Sequence, residues 1–95
     1  MKRHYIIRGM PEVLTNLISE MLVNDFGAEQ MSENQGLDED QCYFMGDWAL
    51  TLRTGTFINS ITVFGKDASD IDRRKSQLEE QTKCRHGAYL GLEEK

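Results

Sequence analysis

Four side chains in this sequence could bind a metal ion or act as nucleophiles. They are His4, Cys42, Cys84 and His86. A structural zinc site uses two ligand pairs, usually with about two to four residues between the members of a pair. Cys84 and His86 are closer than that and the other two are isolated, so the sequence predicts no metal site. A thiol nucleophile needs a base and an orienting group beside it, and no spacing here predicts them.

Two charged clusters could hold other ligands. The acids from Asp38 to Asp40 have the oxygen atoms that calcium prefers, but they lack the Asp-x-Asp-x-Asp-Gly order of a calcium loop. The basic cluster from Arg73 to Lys75 could contact phosphate, but Asp70 and Asp72 lie directly beside it. Phosphate loops, paired-histidine helices and nucleophile elbows are also missing from the sequence. We therefore expect no catalytic residue, no cofactor and no enzyme activity, with a small enzyme of unknown class as the third alternative.

The charges are distributed unevenly along the chain. The net charge is −5, and the 44 positions between Arg8 and Arg53 hold no Lys or Arg. That stretch contains nine acids, whereas residues 53–95 carry eight bases against seven acids. A surface of one sign attracts partners of the opposite sign and repels nucleic acid and anionic membranes. The sequence therefore predicts an acidic surface that binds neither nucleic acid nor membrane directly.

We expect this surface to bind a basic protein. The predicted contacts come from the first helix and the loop after it: Glu20, Glu29, Glu33, Asp38, Glu39 and Asp40. Carboxylates can stand where phosphates would sit and accept charge-assisted hydrogen bonds from Lys or Arg. The leading hypothesis is a non-enzymatic inhibitor or regulator, a nucleic-acid mimic that occupies the basic surface of a nucleic-acid-binding protein or complex. It requires the carboxylates to form one patch without neutralising cations.

In size and acidity the chain is similar to small phage-encoded inhibitors of host nucleases, restriction systems or CRISPR complexes. This likeness of character includes no shared motif, and it implies a phage accessory protein. An alternative of another class is a dimeric chaperone-like or structural adaptor module. Such a module would form a homodimer through the second helix or an exposed sheet edge, with its acidity serving solubility.

The first predicted elements are a strand and a helix. Residues 4–8 are β-branched and aromatic before Gly9, which predicts a strand. Pro11 suits a first helical turn, and Gly27 suits the left-handed end of that helix. Apolar residues at helical spacing lie between them at Leu14, Leu17, Ile18, Met21 and Leu22. The acidic segment 28–41 predicts either a loop or a short edge strand around residues 29–33.

The rest of the chain predicts a meander and a second helix. Residues 42–45 and 48–53 flank a two-residue turn, and a strand over 57–64 follows a second turn. Alternation then accounts for Tyr43, Phe44, Trp48 and Phe57 as core residues. Asp67 and Asp70 have the spacing of a helix cap, which predicts a helix from about Ala68 to Lys83. Its apolar stripe contains only Ile71 and Leu78, so we expect the helix to pack loosely or to expose much of its length.

These elements predict an α+β fold. It is a single small domain over residues 1–95, with a mainly antiparallel three- to four-stranded sheet and two helices in the order β-α-β-β-β-α. An acidic loop at about 28–41 and a C-terminal tail at about 87–95 complete it, and the tail either adds a short strand or covers the core. The two cysteines form no Cys-x-x-Cys pair, and no apolar run reaches the roughly 18 residues of a membrane span. We therefore expect a cytoplasmic protein.

Overall fold

The computed structural model describes residues 1–8, 12–32, 39–54, 59–87 and 90–94. Of these, 12–16, 31–32, 39–40 and 54 are described by their backbone alone. The elements in chain order are β1 (Lys2–Arg8), α1 (Glu12–Asp25), β2 (Glu29–Ser32), β3 (Glu39–Met45), β4 (Trp48–Thr54), β5 (Asn59–Phe64), α2 (Ala68–His86) and β6 (Gly91–Glu94).

The strands form one sheet in the order β2-β3-β4-β5-β1-β6, and each neighbouring pair is antiparallel. The predicted α+β class, antiparallel sheet and two helices are confirmed. The prediction of three to four strands is wrong, because β2 and β6 make six. Each has four residues at a sheet edge, where the backbone hydrogen bonds of a longer neighbour stabilise it. Such strands need little apolar pattern of their own, so the sequence signal for them is weak.

Both helices pack on one face of the sheet. The alternation in β4 correctly predicts its core residues, since Trp48, Leu50 and Leu52 are all buried. Strand β4 pairs with β3 and β5, whose buried residues Tyr43 and Val63 both lie in register with Leu50. The remaining buried apolar residues are Tyr5, Ile7, Ile18, Met21, Leu22, Ala28, Met45, Ile61, Ile71, Leu78 and Leu90.

Helix α2 is longer and better anchored than its sequence predicts. Asp67 caps it as expected, because its side chain accepts a hydrogen bond of 2.8 Å from the backbone N–H of Asp70. The helix continues to His86, beyond the predicted end at Lys83. Its apolar stripe is thin, yet Ile71 and Leu78 are fully buried. The only other buried residues of this helix are Asp70 and Thr82, and the rest is exposed or half-buried. The expectation that α2 exposes much of its length is therefore confirmed, whereas packing around Ile71 and Leu78 is not loose.

Tight turns place the hairpin strands. Gly46 has φ of 75° in the two-residue turn between β3 and β4, as a type II′ turn requires of its first central residue. Strand β5 begins at Asn59, and the predicted turn after Thr54 and the start of the predicted strand at Phe57 lie outside the described residues.

The second face of the sheet is open over the described part of the chain. Phe44 and Phe64 are exposed on it at 45% and 38%, while their strand neighbours Tyr43 and Val63 point into the core. The expectation that Phe44 is a core residue is therefore wrong. The two-residue turn pairs Met45 with Trp48, which directs Met45 and Tyr43 inward and Phe44 outward.

Candidate functional site

The predicted contact residues lie on different elements. Glu20 is on α1 with an exposed side chain, and Glu29 is exposed on β2. Glu39 and Asp40 are the first two residues of β3. Glu33 and Asp38 lie outside the described residues.

Three of these residues lie on β2 and β3, the two neighbouring strands at one end of the sheet order. The strands pair from Glu29 opposite Phe44 to Ser32 opposite Gln41, and β2 is the edge strand. We call Glu29, Glu39 and Asp40 the acidic edge. Glu29 and Asp40 lie about 13 Å apart along the strands, because four residues separate Asp40 from Phe44. Arg53 of β4 is in register with Asp40, so the register sets one arginine beside these three acids.

Polar contacts around the buried Tyr43 hold β2 and β3 against α1. The hydroxyl of Tyr43 hydrogen-bonds to that of Ser19 on α1 and donates to Oε1 of Gln41 at 2.6 Å. Nε2 of Gln30 donates to the same Gln41 oxygen at 3.3 Å, which links β2 to β3. Burial raises the pKa of Tyr43 above its ordinary value, so its phenol stays protonated at neutral pH. These contacts fix the position of the acidic edge relative to α1.

Arginines of α2 reach three other acids of the stretch that lacks Lys and Arg. Arg85 Nη1 lies 2.6 Å from Asp25 and its Nη2 lies 4.0 Å from Glu20. The hydrogen bond from Arg85, with another from Gln81, lowers the pKa of Asp25. Arg74 Nη2 lies 3.1 Å from Asp47 in the turn between β3 and β4.

The expectation that no cation neutralises this stretch is therefore wrong for Glu20, Asp25 and Asp47. The physical reason is tertiary packing. Helix α2 passes beside α1 and beside the turn between β3 and β4, and it brings residues from distant sequence positions to both. The linear charge pattern does not contain that information.

The basic cluster at Arg73 to Lys75 is used inside the molecule. Arg73 Nη2 and Arg74 Nε lie 2.6 and 3.4 Å from Oδ1 of Asp70, whose side chain is only 2% exposed. The hydrogen bond from Arg73 is the main cause that lowers the pKa of Asp70. Arg74 also stacks over the Trp48 ring at 5.0 Å, and Lys75 lies over the Tyr5 ring at 5.5 Å. These three basic side chains therefore have partners within the protein, which explains the basic cluster without a phosphate ligand.

The remaining reactive side chains are dispersed. Cys42 lies 3.8 Å from the hydroxyl of Thr51, Cys84 is exposed, and His4 Nδ1 lies 2.6 Å from the hydroxyl of Thr62. Among the described residues, no three His, Cys, Asp or Glu side chains are grouped so that they could hold one metal ion. Neither described helix is long and apolar enough to cross a membrane.

The chain matches no known family profile and no curated protein sequence.

Proposed function

We propose that the protein is a non-enzymatic interaction module that uses its acidic edge to bind a basic protein. The observation that supports this proposal concerns the carboxylate partners of three arginines on α2. Arg73, Arg74 and Arg85 each lie within hydrogen-bond distance of a carboxylate outside the acidic edge. The edge joins three acids on paired strands, and within the described residues Glu29 forms no ion pair. The negative charge of Glu29 is thus available to a partner.

The proposed mechanism is competition with nucleic acid. Carboxylates of the acidic edge accept charge-assisted hydrogen bonds from Lys and Arg of the partner, in place of phosphates. The partner is a nucleic-acid-binding protein or complex, and the module inhibits or regulates it as a phage-type accessory protein would. Glu33 and Asp38 stay predicted contacts because they belong to the same chain segment. Glu20 contributes less, since Arg85 already lies beside it.

A displacement experiment tests this mimicry. A nona-arginine peptide is bound to a fluorescent DNA oligonucleotide, and the protein is titrated into the complex. We expect the protein to release the DNA. The triple variant Asp38→Asn, Glu39→Gln, Asp40→Asn should need about tenfold more protein, because each exposed ion pair is worth up to about 1 kcal/mol.

A triple variant with the same charge change serves as the control. Asp72→Asn, Glu80→Gln and Glu93→Gln remove three acids that are exposed and lie outside the acidic edge. We expect this control to change the required concentration less than about twofold. Equal losses in the two triple variants would exclude a local surface and leave only the net charge of the protein.

The dimeric adaptor stays an alternative proposal, and the structure bears on the two surfaces first considered for it. Helix α2 directs Ile71 and Leu78 into its own core, so its outer side is charged. The edge strands β2 and β6 have only four residues each and carry acids, which opposes pairing between sheet edges. A dimer would therefore use another surface.

A further inference from the structure

A row of five residues crosses the open face of the sheet. Register pairs join Lys2 to Phe64, Phe64 to Ala49, Ala49 to Phe44 and Phe44 to Glu29. Directly paired residues of an antiparallel sheet point to the same face, so these side chains lie side by side. With strands about 4.8 Å apart, the row is about 19 Å long and the Cα atoms of the two phenylalanines are about 10 Å apart. We call this set the cross-strand row.

The middle of the cross-strand row is apolar and accessible. Phe44 is 45% exposed and Phe64 is 38% exposed, and the small side chain of Ala49 lies between them. A groove of ≈ 390 Å³ runs along this part of the face, lined in part by Met1, Phe44, Ala49 and Phe64. Two exposed aromatic rings in one groove form an apolar patch of the kind that marks an interaction surface.

The ends of the cross-strand row carry opposite charges. Lys2 and Glu29 are both exposed, and neither forms an ion pair with any described residue. A twofold axis parallel to β4, above Ala49 and midway between the two packed sheets, reverses the row. Lys2 of one copy then faces Glu29 of the other, and Phe64 faces Phe44, while Ala49 leaves room for the rings. The row is therefore complementary to itself, as the shared surface of a twofold dimer must be.

We propose that two copies of this chain associate face to face through the cross-strand row. Each dimer contains two Phe64–Phe44 contacts and two Lys2–Glu29 ion pairs. Packed sheets lie about 10 Å apart, a distance that interdigitated aromatic side chains fill. This proposal does not rest on the proposed function, but the two share Glu29. In the dimer Glu29 is paired with Lys2, so a basic partner would compete with the second copy for this residue.

A single-stranded nucleic acid is a less suitable occupant of this face. Stacking platforms for single strands combine aromatic rings with a continuous basic groove. The cross-strand row ends in one cation and one anion, and Glu29 would repel the phosphate backbone at its end. Arg8, on the same face, is already bound to Glu93 at 2.5 Å. Charge complementarity therefore favours a second copy.

Sedimentation equilibrium at protein concentrations from about 1 to 200 µM tests the dimer, with 10.9 kDa as the monomer mass. We expect the wild type to reach twice that mass within this range. Phe44→Thr and Phe64→Thr should each weaken association by at least about tenfold, since aromatic residues dominate such interfaces. Val23→Thr is the matched control, because Val23 on α1 is 38% exposed like Phe64 but lies on the other side of the sheet. It should leave the dissociation constant unchanged.

Charge reversal tests the symmetry itself. Lys2→Glu or Glu29→Lys alone turns both ion pairs of the dimer into repulsive pairs, so each should weaken association by about tenfold. The double variant Lys2→Glu, Glu29→Lys restores both pairs and should return the dissociation constant to within about twofold of the wild type. Circular dichroism confirms that each variant is folded.

Several results would overturn the proposal. One is a mass of 10.9 kDa at every concentration in the range. Another is a dimer whose dissociation constant is the same in the wild type and in both phenylalanine variants. The third is a double variant Lys2→Glu, Glu29→Lys that does not restore association. Binding of a labelled oligothymidylate by the monomer, lost in the phenylalanine variants, would assign the face to nucleic acid instead. None of these readouts involves a basic partner, so they are separate from the test of the acidic edge.

Discussion

Carboxylates around helix α2 and carboxylates at the acidic edge have different surroundings. Asp25, Asp47 and Asp70 each lie within 2.6 to 3.1 Å of an arginine of α2. At the acidic edge, Glu29 has no such contact in the described part of the chain. Arg74 and Arg85 thus attach α2 to the turn between β3 and β4 and to α1, and Arg73 contacts Asp70 within α2. Net charge alone would not reveal this division.

The comparison implies that mutations in the two regions change different properties of the protein. Changes around α2 should lower the free energy of unfolding, because they remove contacts between elements. Changes at the acidic edge should leave stability nearly constant and reduce binding.

Leu78→Ala should have the largest effect. Leu78 is fully buried and anchors α2 to the core, so its truncation should cost about 2–5 kcal/mol of unfolding free energy. Urea unfolding followed by circular dichroism measures this loss. The exposed Glu80 of the same helix provides the control Glu80→Ala, which should stay within about 0.5 kcal/mol of the wild type. A Leu78→Ala loss below about 1 kcal/mol would mean that α2 is not docked as described.

Arg74→Met should cost about 1–3 kcal/mol, because Arg74 contacts Asp47 and Asp70 and stacks on Trp48. Arg73→Met is the matched comparison. Both arginines contact Asp70, but the Arg73 side chain is 57% exposed and that of Arg74 is 13% exposed. The same unfolding measurement should show the smaller loss for Arg73→Met, and the reverse order would contradict the role given to Arg74.

The pH dependence of stability should separate the regions further. The pKa values of Asp25 and Asp70 are lowered from their ordinary value of 3.8, mainly by hydrogen bonds from Arg85 and Arg73. Their ionised forms therefore stabilise the fold above pH 3.8, and this contribution is lost as the pH falls through the lower folded-state pKa values. Thermal midpoints measured between about pH 2 and 6 should fall less steeply on acidification for Asp25→Asn and Asp70→Asn than for the wild type.

Glu29→Gln should give the smallest effect, within about 0.5 kcal/mol at neutral pH, because Glu29 is exposed without an ion-pair partner among the described residues. As the pH is lowered, the thermal unfolding midpoint of this variant should fall as steeply as that of the wild type. Thermal unfolding of this variant beside Asp25→Asn makes the comparison directly. A destabilisation as large as that of Asp25→Asn would mean that the acidic edge is structural.

Local patterns in the sequence predicted much of the fold. The cap at Asp67, the turn at Gly46 and the inward residues of β4 each depend on a few neighbouring residues, and all three are confirmed. For segment 28–41 the sequence allows a loop or an edge strand, and for the tail it allows a strand or a cover over the core. It does not decide between them because β2 and β6 are stabilised mainly by their paired neighbours. The outward position of Phe44 follows from the two-residue turn, which pairs Met45 with the inward-pointing Trp48. Alternation considered without this register predicts Phe44 to be a core residue.

The candidate site was predictable only in part. The acidic stretch is visible in the sequence, and strand pairing groups Glu29, Glu39 and Asp40. The hydrogen bond from Arg85 to Asp25 joins residues 60 positions apart. It depends on how α2 packs beside α1, which the sequence does not show. The cross-strand row likewise joins five strands whose register no single segment determines.

The most direct test of the account is calorimetric titration of nona-arginine into the wild type and the two triple variants at low and high salt. We predict that the wild type and the control Asp72→Asn, Glu80→Gln, Glu93→Gln bind with similar affinity. The variant Asp38→Asn, Glu39→Gln, Asp40→Asn changes two residues of the acidic edge and the adjacent predicted contact Asp38. It should bind about tenfold more weakly at low salt, and the difference should shrink as salt screens the charges. Equal affinity of the two triple variants, or a difference that salt does not alter, would contradict the central claim.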